Sequence, residues 1–147
     1  MTDRGFSIVG RALIYWLGML VAVFCLGALR ESFLRPAVGE LPAHQIGSAA
    51  AIVVIALFAR RFVSGTMVSA GWAIFVGAFW VALTATFEFG FFHFVAGHPW
   101  EVLTADYNLA EGRLMGVLML VTFVAPWIFA VMSRKRTVSQ ASWISAS

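Results

Sequence analysis

Residues 88–113, EFGFFHFVAGHPWEVLTADYNLAEGR, are the only stretch of this chain that mixes carboxylates, imidazoles, aromatics and an arginine at high density. Glu88, His93, His98, Glu101, Asp106, Glu111 and Arg113 lie there among aromatic residues. A carboxylate such as Glu88 can take up and release a proton or a cationic ligand, and either Glu88 or His93 can act as a general base. Two imidazoles with Glu88, Glu101 or Asp106 have the donor types of a metal site. However, the i, i+5 spacing of His93 and His98 is no ligand pattern, and Gly97 and Pro99 beside them fix no geometry, so neither a metal nor another cofactor is expected. Nucleophilic catalysis has no support, because no Gly-x-Ser-x-Gly elbow and no Cys/His arrangement occurs. No catalytic residue can be assigned. His44, in the first outer turn, is read as a polar cap on the second span.

The rest of the chain is of a different kind. Of its 147 residues, 61% are hydrophobic and only 12% charged, and the mean hydropathy is +0.90. That composition belongs to a polytopic membrane protein rather than to a soluble domain. The net charge of +3 comes with no basic face and no RNA-reading motif, so no nucleic-acid partner is expected. The single cysteine, Cys25, lies in an apolar run and excludes an intrachain disulfide or a CxxC pair. The apolar run from Ala12 to Leu29 is long for a signal peptide and no small-x-small site follows it, so it reads as a retained anchor.

Crossing about 30 Å of hydrocarbon takes roughly 20 apolar residues in a helix that satisfies its own backbone. Four segments meet this requirement, at 10–29, 45–63, 67–88 and 109–132. The second is extended through Arg60 and Arg61, whose stems can snorkel. The fourth carries Arg113 in its first turn and Pro126 near its end. The fold expected is therefore an all-α integral membrane protein, a single domain over 1–147, with four transmembrane helices and a basic tail from 133 to 147.

Orientation follows from Lys and Arg placement. Arg4, Arg11, Arg60, Arg61, Arg134, Lys135 and Arg136 fall on one side, against Arg30, Arg35 and Arg113 on the other. Both termini are expected in the cytoplasm and the polar segment outside it, in a bacterial inner membrane. Residues 89–108 are too many for a simple hairpin between helices. GHPWEVLTADY reads as a short external helix that begins at Pro99, with Trp100, Leu103 and Tyr107 on one face. Trp100 and Tyr107 are then interface anchors. Asn108 with Glu111 resembles a capping box that starts the fourth helix at Leu109.

Glu88 ends the third span and Arg113 begins the fourth. Each opposes its own helix dipole, so the two can compensate each other at one edge of the bundle. The ordinary reading is a structural ion pair; the functional one leaves Glu88 to exchange a proton or cation. Thr84, Val81, Gly77 and Ala73 form a slim stripe leading to Glu88. With Gly18-xxx-Ala22 and Gly112-xxx-Gly116, this stripe indicates tight helix packing.

The stretch Glu88-Phe89-Gly90, His93, Gly97, Trp100-Glu101, Asp106-Tyr107-Asn108 and Gly112-Arg113 resembles a signature of small bacterial four-helix membrane proteins to which no activity is attached. The resemblance implies a site without a chemistry. A polar cluster of Glu88, His93, Glu101, Asp106, Asn108 and Arg113 is thus expected at the outer membrane edge. The function expected is non-enzymatic binding, transport association or service as a complex subunit. The alternative is a membrane-embedded enzyme acting on a lipid-like substrate. The partners expected are the lipid bilayer and either a homo-oligomer or a larger membrane complex.

Overall fold

The structure is a computed structural model that describes residues 2–95, 97, 99–105, 107–108, 112 and 114–144. Apart from short connections, those residues are helical, with no strand among them. Helix α1 (Thr2–Leu29) runs into a π-helical stretch (Arg30–Leu34) and then α2 (Arg35–Val38). Helices α3 (Glu40–Thr66) and α4 (Ala70–Phe87) follow, then a second π-helical stretch (Glu88–Val95), α5 (Trp100–Ala105) and α6 (Met115–Ile144). Four of the resulting rods are long and apolar enough to cross a membrane: Ser7–Val38, Glu40–Thr66, Ala70–Val95 and Met115–Arg134.

The helices are longer at one end of the bundle than a count of apolar residues indicates. The first continues nine residues past Leu29 to Val38, because Pro36 widens the helix instead of ending it. Proline has no N–H, and its ring crowds the carbonyl one turn back. The backbone relaxes by lengthening the ring, so that Arg35 N–H donates to Arg30 C=O, five residues earlier. Gly39, at φ +89°, is the one residue between α2 and α3. This is a backbone conformation that glycine adopts without strain. The interval 30–44 is therefore a helix–glycine–helix corner, and His44 sits on α3 rather than in a turn. At the other end of the chain α6 runs from Met115, and the expected helix start at Leu109 falls outside the described residues. Gly112 stands in a turn at φ +77°, while Leu109, Ala110, Glu111 and Arg113 lie outside the described residues.

The rods alternate in direction. Arg11 Nη2 donates to Gly65 C=O at 3.1 Å, and Arg30 meets His44 at the opposite end, so α1 and α3 are antiparallel. Trp80 Nε1 donates to Ala12 C=O at 2.8 Å and Trp16 Nε1 to Thr84 Oγ1 at 3.0 Å, so α4 runs parallel to α1. Helix α6 packs extensively on both α3 and α4, whereas α1 lies mainly on α3 and touches α4 less.

The core is lined by small residues and a few rings. Ala12, Ala43, Ala51, Ala59, Ala73, Ala125 and Ala130 are buried together with Trp80, Phe62 and Trp16. The rings of Phe62 and Trp80 meet edge-on at 5.5 Å. Bulky aliphatic and aromatic residues such as Ile14, Val21, Phe24, Val53, Leu57, Phe75 and Leu120 point outward. This is the reverse of a soluble bundle, and it leaves an apolar jacket. Of the expected small contacts, Gly77 faces α6 so closely that a Cβ there would stand 2.0 Å from Phe123 O, and Gly18 faces Phe58 of α3. Gly112 lies in a turn against Gln45 and Leu41 rather than on a helix face. Thr84, on the expected slim stripe, serves instead as the acceptor for Trp16 of α1.

Candidate functional site

The two indole hydrogen bonds pin α1 to α4 at Ala12 and Trp16. Beyond Trp16, toward the π-helical ends, a cavity of about 640 Å³ lies between the helices. Its volume is in the range of a small-molecule pocket. Met19, Val23, Ile55, Phe87, Leu118 and Met119 give it apolar walls. Trp16, Ser48, Thr84 and Thr122 supply the few other polar atoms along it, and Arg30, Glu31, Arg35, His44, Glu88 and Tyr107 ring its charged end. Phe24 lines it while remaining 55% exposed, so the space is a cleft that opens sideways along α1.

Both π-helical stretches deliver side chains to this charged end. The first presents Arg30 and Glu31, with Arg35 following directly. The stem of Arg30 lies across α3 at Gly47, where an added Cβ would come within 2.9 Å of Arg30 Cδ. Its guanidinium donates to Glu31 Oε1 at 2.6 Å and meets His44 Nδ1 at 3.1 Å. Arg35 donates to Glu31 Oε2 at 2.9 Å and to Glu40 Oε2 at 3.4 Å. Each oxygen of Glu31 is thus engaged by a different arginine. Arginine only donates, so its contact makes Nδ1 of His44 the acceptor and, in a neutral ring, leaves the proton on Nε2. The 3.4 Å approach of Leu114 N to that Nε2 is then a packing contact, since a neutral imidazole has one acceptor nitrogen. We assign the hydrogen bond to the shorter pair.

The second π-helical stretch begins at Glu88, whose N–H still bonds back to Thr84 and Ala85 carbonyls. Tyr107 donates its hydroxyl to Glu88 Oε2 at 3.4 Å, a long bond. Aromatic stacking holds this segment to α5. Phe89 stacks on Tyr107 at 6.1 Å and meets Trp100 at the same distance, while Phe87 stacks on Phe91 at 5.2 Å. Trp100 and Tyr107, expected on one face of a short helix, are both ring partners of Phe89, but Tyr107 lies in a turn after α5.

Of the residues expected to cluster, the structure brings Glu88 to the cleft, and beside it Tyr107, which was expected to be an interface anchor. His93 does not line it; its ring stacks on Trp100 at 4.0 Å and lies edge-on to Phe94 at 4.8 Å. Glu101 is exposed on α5, and Asn108 is exposed beyond it. Asp106, Arg113, His98 and Glu111 lie outside the described residues, and the Glu88–Arg113 clamp with them. Among the described residues, no three His, Cys, Asp or Glu side chains are grouped as a metal would require.

Arg30, Glu31 and Arg35, together with the Trp16–Thr84 floor, do not stand out in a reading that places residues 30–44 in a loop. One signal was present. Glu31 and Arg35 are four residues apart, the spacing of a helical ion pair, and this argues for helix through the interval despite Pro36. Comparison with known proteins finds no matching family model, no matching curated protein and no matching solved structure.

Proposed function

We propose that the chain is a polytopic protein of the bacterial inner membrane that binds a ligand in the cleft at the charged end of its bundle, without catalysing a reaction. It would act alone, as a transport-associated protein or as a subunit of a larger complex. One observation carries this reading: a cleft of about 640 Å³ has apolar walls and a charged rim supplied by both π-helical stretches. Departures from α geometry in long helices are concentrated at functional sites. The outward-facing aliphatic residues support the membrane setting, since lipid is the solvent that such a surface fits.

Native mass spectrometry of the protein, released from its own membranes in mild detergent, tests the binding function. A bound small molecule or partner chain is expected at defined stoichiometry, and Val23→Trp, which fills the cleft, is expected to remove a bound small molecule. Release of the bare chain alone, from several detergents, would count against it.

The enzymatic alternative keeps one supporting observation: Glu88, unlike His93, lines the cleft. If Glu88 is a general base, membranes containing the protein should lose one lipid species over time, and Glu88→Gln should stop the loss while leaving ligand retention intact. Unchanged lipid composition favours binding alone.

The proposed orientation places both termini in the cytoplasm and α5 outside, on the seven-to-three distribution of Lys and Arg between the two ends. A reporter joined after Ser147 is expected to be active only in the cytoplasmic form, and one inserted between residues 99 and 105 only in the exported form. An exported C-terminus would refute the four-span arrangement.

A further inference from the structure

The geometry points to an anionic amphiphile as the ligand of the cleft, a single apolar chain bearing a carboxylate or phosphate head, with the head held by Arg30 and the chain lying between α1 and α4. This inference rests on the binding function proposed above and supplies its ligand class.

The depth of the cleft offers a polar molecule little beyond the hydroxyls of Ser48 and Thr84. Trp16 Nε1 is spent on Thr84 Oγ1, and Thr122 Oγ1 donates to Leu118 C=O at 2.8 Å. Among the described residues no buried side-chain nitrogen or oxygen lacks a hydrogen-bond partner. Met19, Val23, Ile55, Leu118 and Met119 complete an apolar slot that suits a hydrocarbon chain. The charged groups that can hold an ionic head all stand at the rim.

At the rim the two walls differ. On the α1 side, two guanidinium groups share one lining carboxylate, Glu31, and both of its oxygens are already taken. Glu40, the second partner of Arg35, stands outside the cleft at 3.4 Å. The lining itself therefore carries two guanidinium groups against one carboxylate, with Glu40 offsetting Arg35 from outside the cleft. A guanidinium has five N–H donors, and the contacts of Arg30 to Glu31 and His44 leave further donors on a side chain that faces the cleft. Its stem lies flat over Gly47 and its head is braced by His44, so it is held in position before any ligand arrives. On the α4 side the lining charge is Glu88, which accepts from Tyr107. An anionic head is drawn to the arginine wall and kept off the other one. Charge-assisted bonds from arginine to a carboxylate or phosphate are stronger and more directional than neutral ones.

The route also favours a membrane amphiphile over a water-borne anion. The indole bonds close the α1–α4 seam only as far as Trp16 and Thr84, and the half-exposed Phe24 farther along α1 marks an opening on the apolar flank. A chain can slide in sideways while its head stays level with the charged end.

The test uses the full chain in nanodiscs with four probes: oleate, oleyl phosphate, oleyl alcohol and inorganic phosphate. Binding is read by native mass spectrometry, and a melting curve is recorded for each variant. Oleate and oleyl phosphate are expected to bind one per chain, at least about tenfold more tightly than oleyl alcohol. Arg30→Gln should erase most of that preference without weakening oleyl alcohol, Arg30→Lys should restore part of it, and Val23→Trp should abolish binding of every chain-bearing probe. Oleyl alcohol binding as tightly as oleate, or a preference untouched by Arg30→Gln in a variant that melts normally, overturns the inference while the binding function stands. Inorganic phosphate binding as tightly as oleyl phosphate also overturns it, identifying a soluble anion as the ligand. If no chain-bearing probe binds and Val23→Trp changes nothing, the cleft is not a binding site, and the inference falls with the function it rests on.

Discussion

Gly77→Ala is expected to separate α4 from α6 and to cost about 3 kcal/mol or more of stability, at the upper end for overpacking a helix contact. The added methyl would sit 2.0 Å from Phe123 O and 2.9 Å from Phe123 C. These are backbone atoms, so no rotamer change can relieve the clash and the two helix axes must move apart. In lipid this loss is not made good elsewhere, because close backbone approach and dispersion, rather than water exclusion, hold helices together. Gly71→Ala provides the comparison. It lies on the same helix, and a Cβ there meets nothing within 4 Å. Alanine's better helix propensity should leave it neutral or stabilised by up to about 1 kcal/mol. Thermal unfolding in mild detergent reads both. Equal melting temperatures for the two variants would show that the helices are not in contact at Gly77.

The second large effect is expected at Trp80, which is fully buried, edge-on to Phe62 and bonded to Ala12 C=O. Two contributions can be separated by magnitude. Truncating a buried tryptophan to alanine costs about 3–5 kcal/mol in water-soluble cores, part of it a transfer from water that does not apply in a bilayer. Side-chain hydrogen bonds between membrane helices average only about 0.6 kcal/mol. Packing should dominate, so Trp80→Ala is expected to lose about 2–4 kcal/mol and Trp80→Phe, which keeps a ring but not the N–H, about 1 kcal/mol. Because Trp80 also pins α1 to α4, Trp80→Ala should loosen the floor of the cleft and raise the accessibility of Thr84→Cys to a thiol reagent. Equal losses for the alanine and phenylalanine variants would mean that the hydrogen bond, not the ring, secures the seam.

The four long helices were legible in the sequence because their signal is additive: a run of apolar residues reports a span whichever neighbours it meets. Ends were less legible, since a helix end is decided by single residues acting on the backbone. Pro36 suggests a stop, yet its effect here is a five-residue hydrogen-bond ring that carries the helix on to Gly39. Asn108 suggests a start, whereas α6 runs from Met115 after a turn at Gly112. Glu88, which lines the cleft, was legible because polar density drew attention to it, whereas Tyr107 reads only as an interface anchor. The site was not legible at Arg30 or Trp16, which meet His44 and Thr84 only after four helices have packed. No local pattern in the sequence encodes which charged residue will share a cleft with which. His93 shows the converse, since a ring well suited to acid–base chemistry by type is occupied in stacking on Trp100.

The single-residue corner at Gly39 has a consequence for biogenesis. In the membrane setting proposed above, the lack of a linker makes α1 and α3 enter the bilayer as one hairpin, with α4 and α6 as a second. Each half carries its own electrostatic settlement. Arg30, Glu31, Arg35, Glu40 and His44 satisfy one another within the first hairpin, and Glu88 meets Tyr107 within the second. The charges at the cleft end, Arg30, Glu31, Arg35 and Glu88, are therefore each partnered within their own half before the two halves meet. The cleft has walls from both hairpins, so it comes into existence only at their docking, and a chain that stalls before that step would be inserted, locally paired and empty-handed.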